Sequence, residues 1–270
     1  MLSDYHIHTY LCKHADGSPE EYLDRAKVIG LDEICFTDHA PDPNGYDPGN
    51  RMHTHEYSDY ADIVSEMQKN EYGINVLYGI EADYYEGGEE FLRPWLLDND
   101  FDLVLGSVHY ISSWGFDDPS TIAVWETADV LQTWTDYFQL LGEMAETGMY
   151  DIASHLDLPK KFKYRPKDES ICELAANALD KISSANMAIE LNTGGLRRPC
   201  QEIYPSIKLL RMARERDIPI TFGSDAHQPE DVGSGFDKAL ALAKEAGYHE
   251  YVRFKKREKY ALPLPANVGA

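Results

Sequence analysis

An α/β fold built on a parallel sheet of about seven strands is what this sequence predicts, and three observations predict it. Short apolar runs of β type alternate with longer amphipathic stretches along the chain. Each apolar run is followed by at least one helical pattern, which calls for parallel strands joined by right-handed crossovers. Hydrophobic residues make up 43% of the 270 residues, enough for a substantial core in one domain spanning 1–270. A closed barrel of about seven strands and an open doubly wound sheet both satisfy these observations.

The first strand is expected at 2–8 (LSDYHIH), with a helix near 19–29. The second, at 33–37 (EICFT), leads into a loop at 40–53 rich in Pro, Gly and Asp, placed where a substrate-covering loop is expected, and then a helix near 55–70. Strand three, 74–80 (INVLYGI), is followed by a helix near 89–98, and strand four, 101–107 (FDLVLGS), by one near 123–147. Strands at 150–154 (YDIAS), 187–191 (MAIEL) and 219–223 (PITFG) precede helices near 169–185, 202–216 and 230–246. Ser, Thr or Asp residues suited to N-caps stand at several of the helix starts.

Composition narrows the function. A net charge of −22 repels phosphate backbones, so nucleic acid is not expected as a partner. No run approaches the roughly 18 apolar residues of a membrane span. The opening MLSDYHIHTY has neither the basic nor the apolar region of a signal peptide, and the four cysteines form no CxxC pair. A cytoplasmic protein without disulfides is expected. Oligomeric state is not assigned.

In barrels of this class, chemistry sits where strands end and the following loops begin. Strand one ends in His6-Ile7-His8, whose alternation puts both imidazoles on one face. Strand two ends in Asp38-His39, strand three runs into Glu81, strand four into His109 and strand five into His155. Strand six ends in Glu190-Leu191-Asn192 and strand seven in Asp225-Ala226-His227, while His14 lies in the loop after strand one. Seven of the ten histidines thus cluster at one end of the fold. Imidazole and carboxylate donors together suit zinc, manganese or iron, and so many of them exceed the needs of one ion. A multinuclear centre with a bridging hydroxide as nucleophile implies hydrolysis, with the ions clamping phosphoryl oxygens. A second HxH, His53-Thr54-His55, follows no strand; there Thr54 is expected to cap a helix. Cys12 is read as structural. For a phosphate substrate, Arg197 and then Lys160 are the expected contacts, from the basic runs Arg197-Arg198 and Lys160-Lys161-Phe162-Lys163, with Lys163 and Arg198 expected on the solvated surface.

The motifs DYHIHT, TDHAP, GIEADYY, GSVHY, SHLDLPKKF, ELNTGGLRR and GSDAH resemble, in order and spacing, the polymerase and histidinol phosphatase (PHP) superfamily, over almost the whole chain. The resemblance is greatest to its stand-alone histidinol-phosphate phosphatases of histidine biosynthesis. It implies a distorted seven-stranded β/α barrel with a trinuclear metal site at the C-terminal ends of the strands. His6, His8, Glu81 and Asp225 would surround one ion. His109 and His155 would hold a second, bridged by Glu81, and His14, His39 and His227 a third. It further implies that L-histidinol phosphate is hydrolysed by metal-held hydroxide, with Arg197, Lys160 and Lys161 binding phosphate. His39 or Asp38 would assist the leaving group, and Glu190 would support. The chain departs from the family pattern in carrying Lys160-Lys161 where arginine is expected. Another phosphate ester or a phosphotyrosyl protein is the alternative substrate, and a catalytically silent metal-binding scaffold the alternative class.

Overall fold

The computed structural model describes residues 2–268. In chain order the elements are β1 (Ser3–Ile7), α1 (Pro19–Ile29), β2 (Glu33–Phe36), α2 (Tyr57–Met67), β3 (Asn75–Asp83), α3 (Glu89–Leu97), β4 (Leu103–Ser107), the short hairpin β5 (Tyr110–Ile111) and β6 (Trp114–Gly115), α4 (Val130–Glu146), β7 (Ile152–Ala153), α5 (Asp168–Ser184), β8 (Ala188–Asn192), α6 (Ile207–Glu215), β9 (Ile220–Gly223), α7 (Phe236–Glu245), β10 (Glu250–Lys255) and β11 (Glu258–Pro263). Seven strands pair in parallel in the order β1-β2-β3-β4-β7-β8-β9. The seam closes where His8 N–H donates to Ala226 O at 3.0 Å and Ala226 N–H to His6 O at 3.1 Å. The sheet is therefore a nearly closed barrel, and the open alternative is set aside. Among the described residues no helix is long and apolar enough to cross a membrane.

Local chemistry accounts for most boundaries. Ser18 and Glu21 form a capping box ahead of Pro19, and Gly30 ends α1 at φ +79. The pattern at 123–147 divides: a 3-10 stretch at Pro119–Glu126 stops before Asp129, whose carboxylate accepts from Gln132 N–H and starts α4. Tyr204 bridges to Asn192 and Gly235 adopts φ +78, so α6 and α7 begin later than expected. At the second HxH, His53 rather than Thr54 is the cap residue, and its N–H donates to Glu56 at 2.7 Å. The longer β3 carries Glu81 and Asp83 within the strand, opposite Leu105 and Ser107 of β4.

One irregularity in β1 bears on the site. Its register against β2 slips by one residue between Asp4 and Ile7. Tyr5 consequently joins the barrel-floor cluster of Cys35, Leu77, Leu103, Leu105, Ile152 and Ala188, while Leu2 and Ile7 pack outward against the helices. The extra residue lets Tyr5 fill the floor while His6 and His8 still face inward. The β10–β11 hairpin, invisible to a search for strand–helix units, closes the floor with Val252 and Phe254. Phe254 N–H donates to Tyr5 Oη at 3.3 Å, and the two rings meet edge to face at 6.3 Å. Arg257 pairs with Asp151 at 2.9 Å at the entry to β7. Phe254→Ala is expected to cost about 3–5 kcal/mol, read from urea unfolding; a loss under about 1 kcal/mol would show that the hairpin is no part of the cooperative core.

Candidate metal centre

Glu81 is the centre of the cluster. Its Oε2 lies 3.0 Å from His39 Nδ1, 3.3 Å from His6 Nε2 and 3.5 Å from His8 Nε2. Its Oε1 lies 3.2 Å from His155 Nε2 and 3.7 Å from His109 Nε2, and accepts from Ser107 Oγ at 2.5 Å. Asp225 Oδ1 adds a second carboxylate 3.6 Å from His8 and 3.9 Å from His6. His14 and His227 bring their Nε2 atoms within 2.9 Å, and the His227 ring stacks on His8 with centroids 4.1 Å apart. All nine side chains expected to hold metal therefore converge at one end of the barrel.

Surrounding groups decide which ring nitrogens face inward. Glu190 takes His6 Nδ1–H at 2.8 Å and Asp83 takes His109 Nδ1–H at 2.8 Å, so each Nε2 turns to Glu81. Carbonyls of Cys12 and Asp225 lie 2.8 Å and 3.1 Å from Nδ1 of His14 and His227. A carbonyl only accepts, so both Nδ1 atoms carry hydrogen, and an Nε2 proton on His14 is shared with the Nε2 lone pair of His227. Gly223 is required for this packing: a Cβ there would lie 1.8 Å from Glu190 Oε1 and 2.7 Å from the His6 Cβ.

The donors fit a divalent cation. His6 Nε2, both ring nitrogens of His8, His39 Nδ1 and Glu81 Oε2 are buried without a hydrogen-bond partner. Each such atom costs about 1–3 kcal/mol if left unmet, and these converge beside the paired Nε2 atoms of His14 and His227. Several trios, among them His6-His8-Glu81, His8-His39-His227 and Cys12-His14-His227, have donor atoms mutually within 4.8 Å.

Charge in the metal-free site is divided unevenly. Burial opposes charge on Glu81 and Asp225, but the facing imidazoles outweigh it and hold both well below the usual carboxylate range. Burial also opposes charge on His6 and His8, yet Glu190, Glu81, Asp225 and Asp38 outweigh it and raise both. Asp83 raises His109 to about 10 against its desolvation. His39 and His227 are held neutral by burial, with the charge of His8 adding to the effect at His227.

The cations are distributed differently from the sequence expectation. Lys160 is buried and faces away from the cleft: Nζ donates to Asp157 Oδ2 at 2.9 Å and Ile203 O at 2.7 Å, with Glu202 at 3.5 Å. Two hydrogen bonds and an ion pair hold the buried ammonium outside the cleft lining, which sets Lys160 apart from the phosphate role expected of it. Arg197 braces the last strand end, donating from Nη2 to the carbonyls of Ser224 (2.7 Å) and Asp225 (3.0 Å) and pairing with Asp231 at 3.2 Å, while its Nη1 has no partner. Lys161 lines the cleft, paired with Asp117 at 3.0 Å, and Arg198, expected on the surface, lines it too. Among the described residues the Arg198 guanidinium has no hydrogen bond or ion pair. Asp38 is sealed from the cleft, accepting from the Thr9 hydroxyl, Thr9 N–H (3.1 Å) and His39 N–H (2.8 Å). It positions the β1 and β2 ends and cannot reach a leaving group. His39 lines the cleft.

That cleft has a volume of about 390 Å³ and opens over the cluster between Tyr110, Asp117 and Tyr204. Loop 40–53 supplies Asp47 and Asn50 to its wall. Arg51, buried, donates to Ala40 O at 2.8 Å and to Asp83 Oδ2 at 2.7 Å. Asp83 escaped the sequence reading, although it stands two residues beyond Glu81 on one strand and so shares its face. Arg198 and Asp117 carried no comparable signal, since both belong to irregular segments.

A metal ion entering this site must displace protons from the raised imidazoles of His6, His8 and His109. Zinc affinity of the stripped protein should therefore rise with pH from neutrality up to about 10, where His109 gives up its proton, with protons released on binding below that. Calorimetry in two buffers of different ionisation enthalpy measures the release, and identical heats in both would contradict it.

Comparison with known proteins places these residues in context. The PHP domain model matches residues 4–194, and a PHP-associated model matches 208–246. A Deinococcus radiodurans protein named probable histidinol-phosphatase is 41% identical over 91% of this chain and 94% of its own length. The histidinol-phosphatase of Bacillus subtilis is 29% identical, covering 88% of this chain and 97% of its own. In fold, the chain resembles the crystal structure of Lactococcus lactis histidinol phosphate phosphatase complexed with zinc, L-histidinol and phosphate, with a TM-score of 0.81 at 23% identity over 96% of this chain and 98% of that one.

Proposed function

The chain belongs to the PHP domain family, and from that premise we propose that it is a metal-dependent phosphomonoesterase of the cytoplasm. It hydrolyses L-histidinol phosphate to L-histidinol and phosphate in histidine biosynthesis. The observation that carries this reading is the convergence of nine imidazole and carboxylate side chains, four of which, His6, His8, His39 and Glu81, present buried atoms with no hydrogen-bond partner. Similarity to histidinol-phosphatases over nine-tenths of the chain supports the substrate.

Three ions of zinc, manganese or iron suit the donors. His6, His8, Glu81 and Asp225 would hold the first, His109 and His155 with Glu81 the second, and His14, His39 and His227 the third. When bound, such ions polarise phosphoryl oxygens and lower the pKa of coordinated water, making a nucleophile available near neutral pH.

The chain's own groups bind and orient. Arg198, with no other side-chain partner among the described residues, donates to the phosphate oxygens from the loop after β8. Arg197, expected there too, lies outside the cleft lining with its Nη1 buried and braces the strand end behind it. Lys161 fixes Asp117, whose carboxyl is desolvated yet stays ionised because the Lys161 ammonium outweighs the burial. Asp47 on loop 40–53 and Asp117 give the substrate's ammonium and imidazole anionic acceptors in the same cleft.

Phosphate release from L-histidinol phosphate should exceed that from sugar phosphates, nucleotides and phosphotyrosyl peptides by more than about tenfold in kcat/KM. It should vanish with chelator and return with added metal; equal rates across the panel, or full turnover without metal, would overturn the reading. Arg198→Met should lower kcat/KM by about 100-fold. Lys160→Met should instead leave turnover by the folded enzyme near wild type and cost about 3 kcal/mol of stability through the stranded Asp157. Steady-state kinetics paired with urea unfolding separates the two.

A further inference from the structure

Beside the cluster lies Cys12, a thiol that takes no part in the proposed hydrolysis. It ends a single 3-10 turn, Tyr10–Cys12, after which Lys13 adopts φ +73. That left-handed residue reverses the chain, so that Cys12 and His14, two positions apart, both face the cluster. The thiol side chain is fully buried, and its Sγ forms a trio with ring nitrogens of His14 and His227, all mutually within 4.8 Å. Ligands of one tetrahedral ion with bonds of about 2.0–2.3 Å stand roughly 3.5 Å apart, so this spacing closes around a single cation with small adjustments.

Two further observations point to a ligand there. The Nε2 atoms of His14 and His227 approach to 2.9 Å with both Nδ1 atoms committed to carbonyls, so the two inward nitrogens stand together at one point, where a cation can replace the proton between them. His8, fully buried with neither ring nitrogen hydrogen-bonded, stacks on His227 and forms a second trio with Cys12 and Asp38.

We propose that Cys12 is a thiolate ligand of the ion held by His14 and His227, making that position a mixed nitrogen–sulfur site. On binding, the S–H bond breaks, its proton leaves to solvent and a sulfur–metal bond forms. Sulfur is soft, so this position would favour zinc or iron(II) over manganese, whereas the all-nitrogen-and-oxygen positions would not discriminate in that way. The inference rests on the metal-centre reading and refines it at one ion.

The test replaces the native metal with cobalt(II), added alone to chelator-stripped full-length protein, and records the absorption spectrum. Wild type should show a near-ultraviolet sulfur-to-cobalt charge-transfer band together with visible d–d bands. Cys12→Ser should keep the d–d bands and lose the charge-transfer band. Visible bands without charge transfer in wild type, or a Cys12→Ser spectrum that superimposes on wild type, would overturn the proposal and leave the metal centre standing. Failure to bind cobalt at all would remove both. Should Cys12→Ser not fold, zinc-edge X-ray absorption of wild type decides: a sulfur shell at about 2.3 Å supports the ligand, and only nitrogen and oxygen shells at about 2.0–2.2 Å exclude it.

Discussion

A single buried carboxylate, Glu81, faced by five imidazoles, is the constraint around which the rest of this molecule is arranged. Both of its oxygens lie among ring nitrogens at 3.0–3.7 Å. Such a group is tolerable in a low-dielectric interior only with opposite charge and hydrogen bonds close by. A parallel barrel meets that demand directly, because its strands all end on one face and each contributes one or two inward side chains. The seam between β9 and β1 matters for the same reason: it brings Asp225 and His227 beside His6 and His8.

Around this centre lies a ring of groups that touch no substrate but determine where the inner donors point. Glu190 with Gly223 fixes His6, Asp83 fixes His109, Ser107 fixes Glu81, and Asp38 with Thr9 joins the ends of β1 and β2. Asp225 sits at φ +55, a conformation that Asp tolerates better than most residues. Arg197 grips its carbonyl and that of Ser224. Local backbone cost at this cluster carboxylate is thus offset by a neighbouring cation.

Periodicity and position made the inner donors legible in the sequence. His6-Ile7-His8 needed only strand alternation, and the other imidazoles stood at the same place on successive strands. The cations were not legible, because a basic run on an irregular loop has no period to say which member faces inward. Lys160 went to Asp157 and Arg198 to the cleft. The floor hairpin was missed because it follows the last strand–helix unit and pairs only with itself. The one-residue slip in β1 was equally hidden, since a bulge leaves no trace in apolar alternation as short as five residues.

Asp83 shows how closely the cleft and the cluster beneath it are tied. One of its oxygens holds Arg51, the buried anchor of loop 40–53, and the other holds the Nδ1 proton of His109. Lifting the loop withdraws a positive charge from Asp83 and changes the basicity of a metal-facing ring; filling the ring's other nitrogen changes how strongly Asp83 retains the arginine. Linkage makes these two effects equal in free energy. Access to the cleft and retention of the cation proposed at His109 would therefore be two readings of a single equilibrium, joined through one carboxylate.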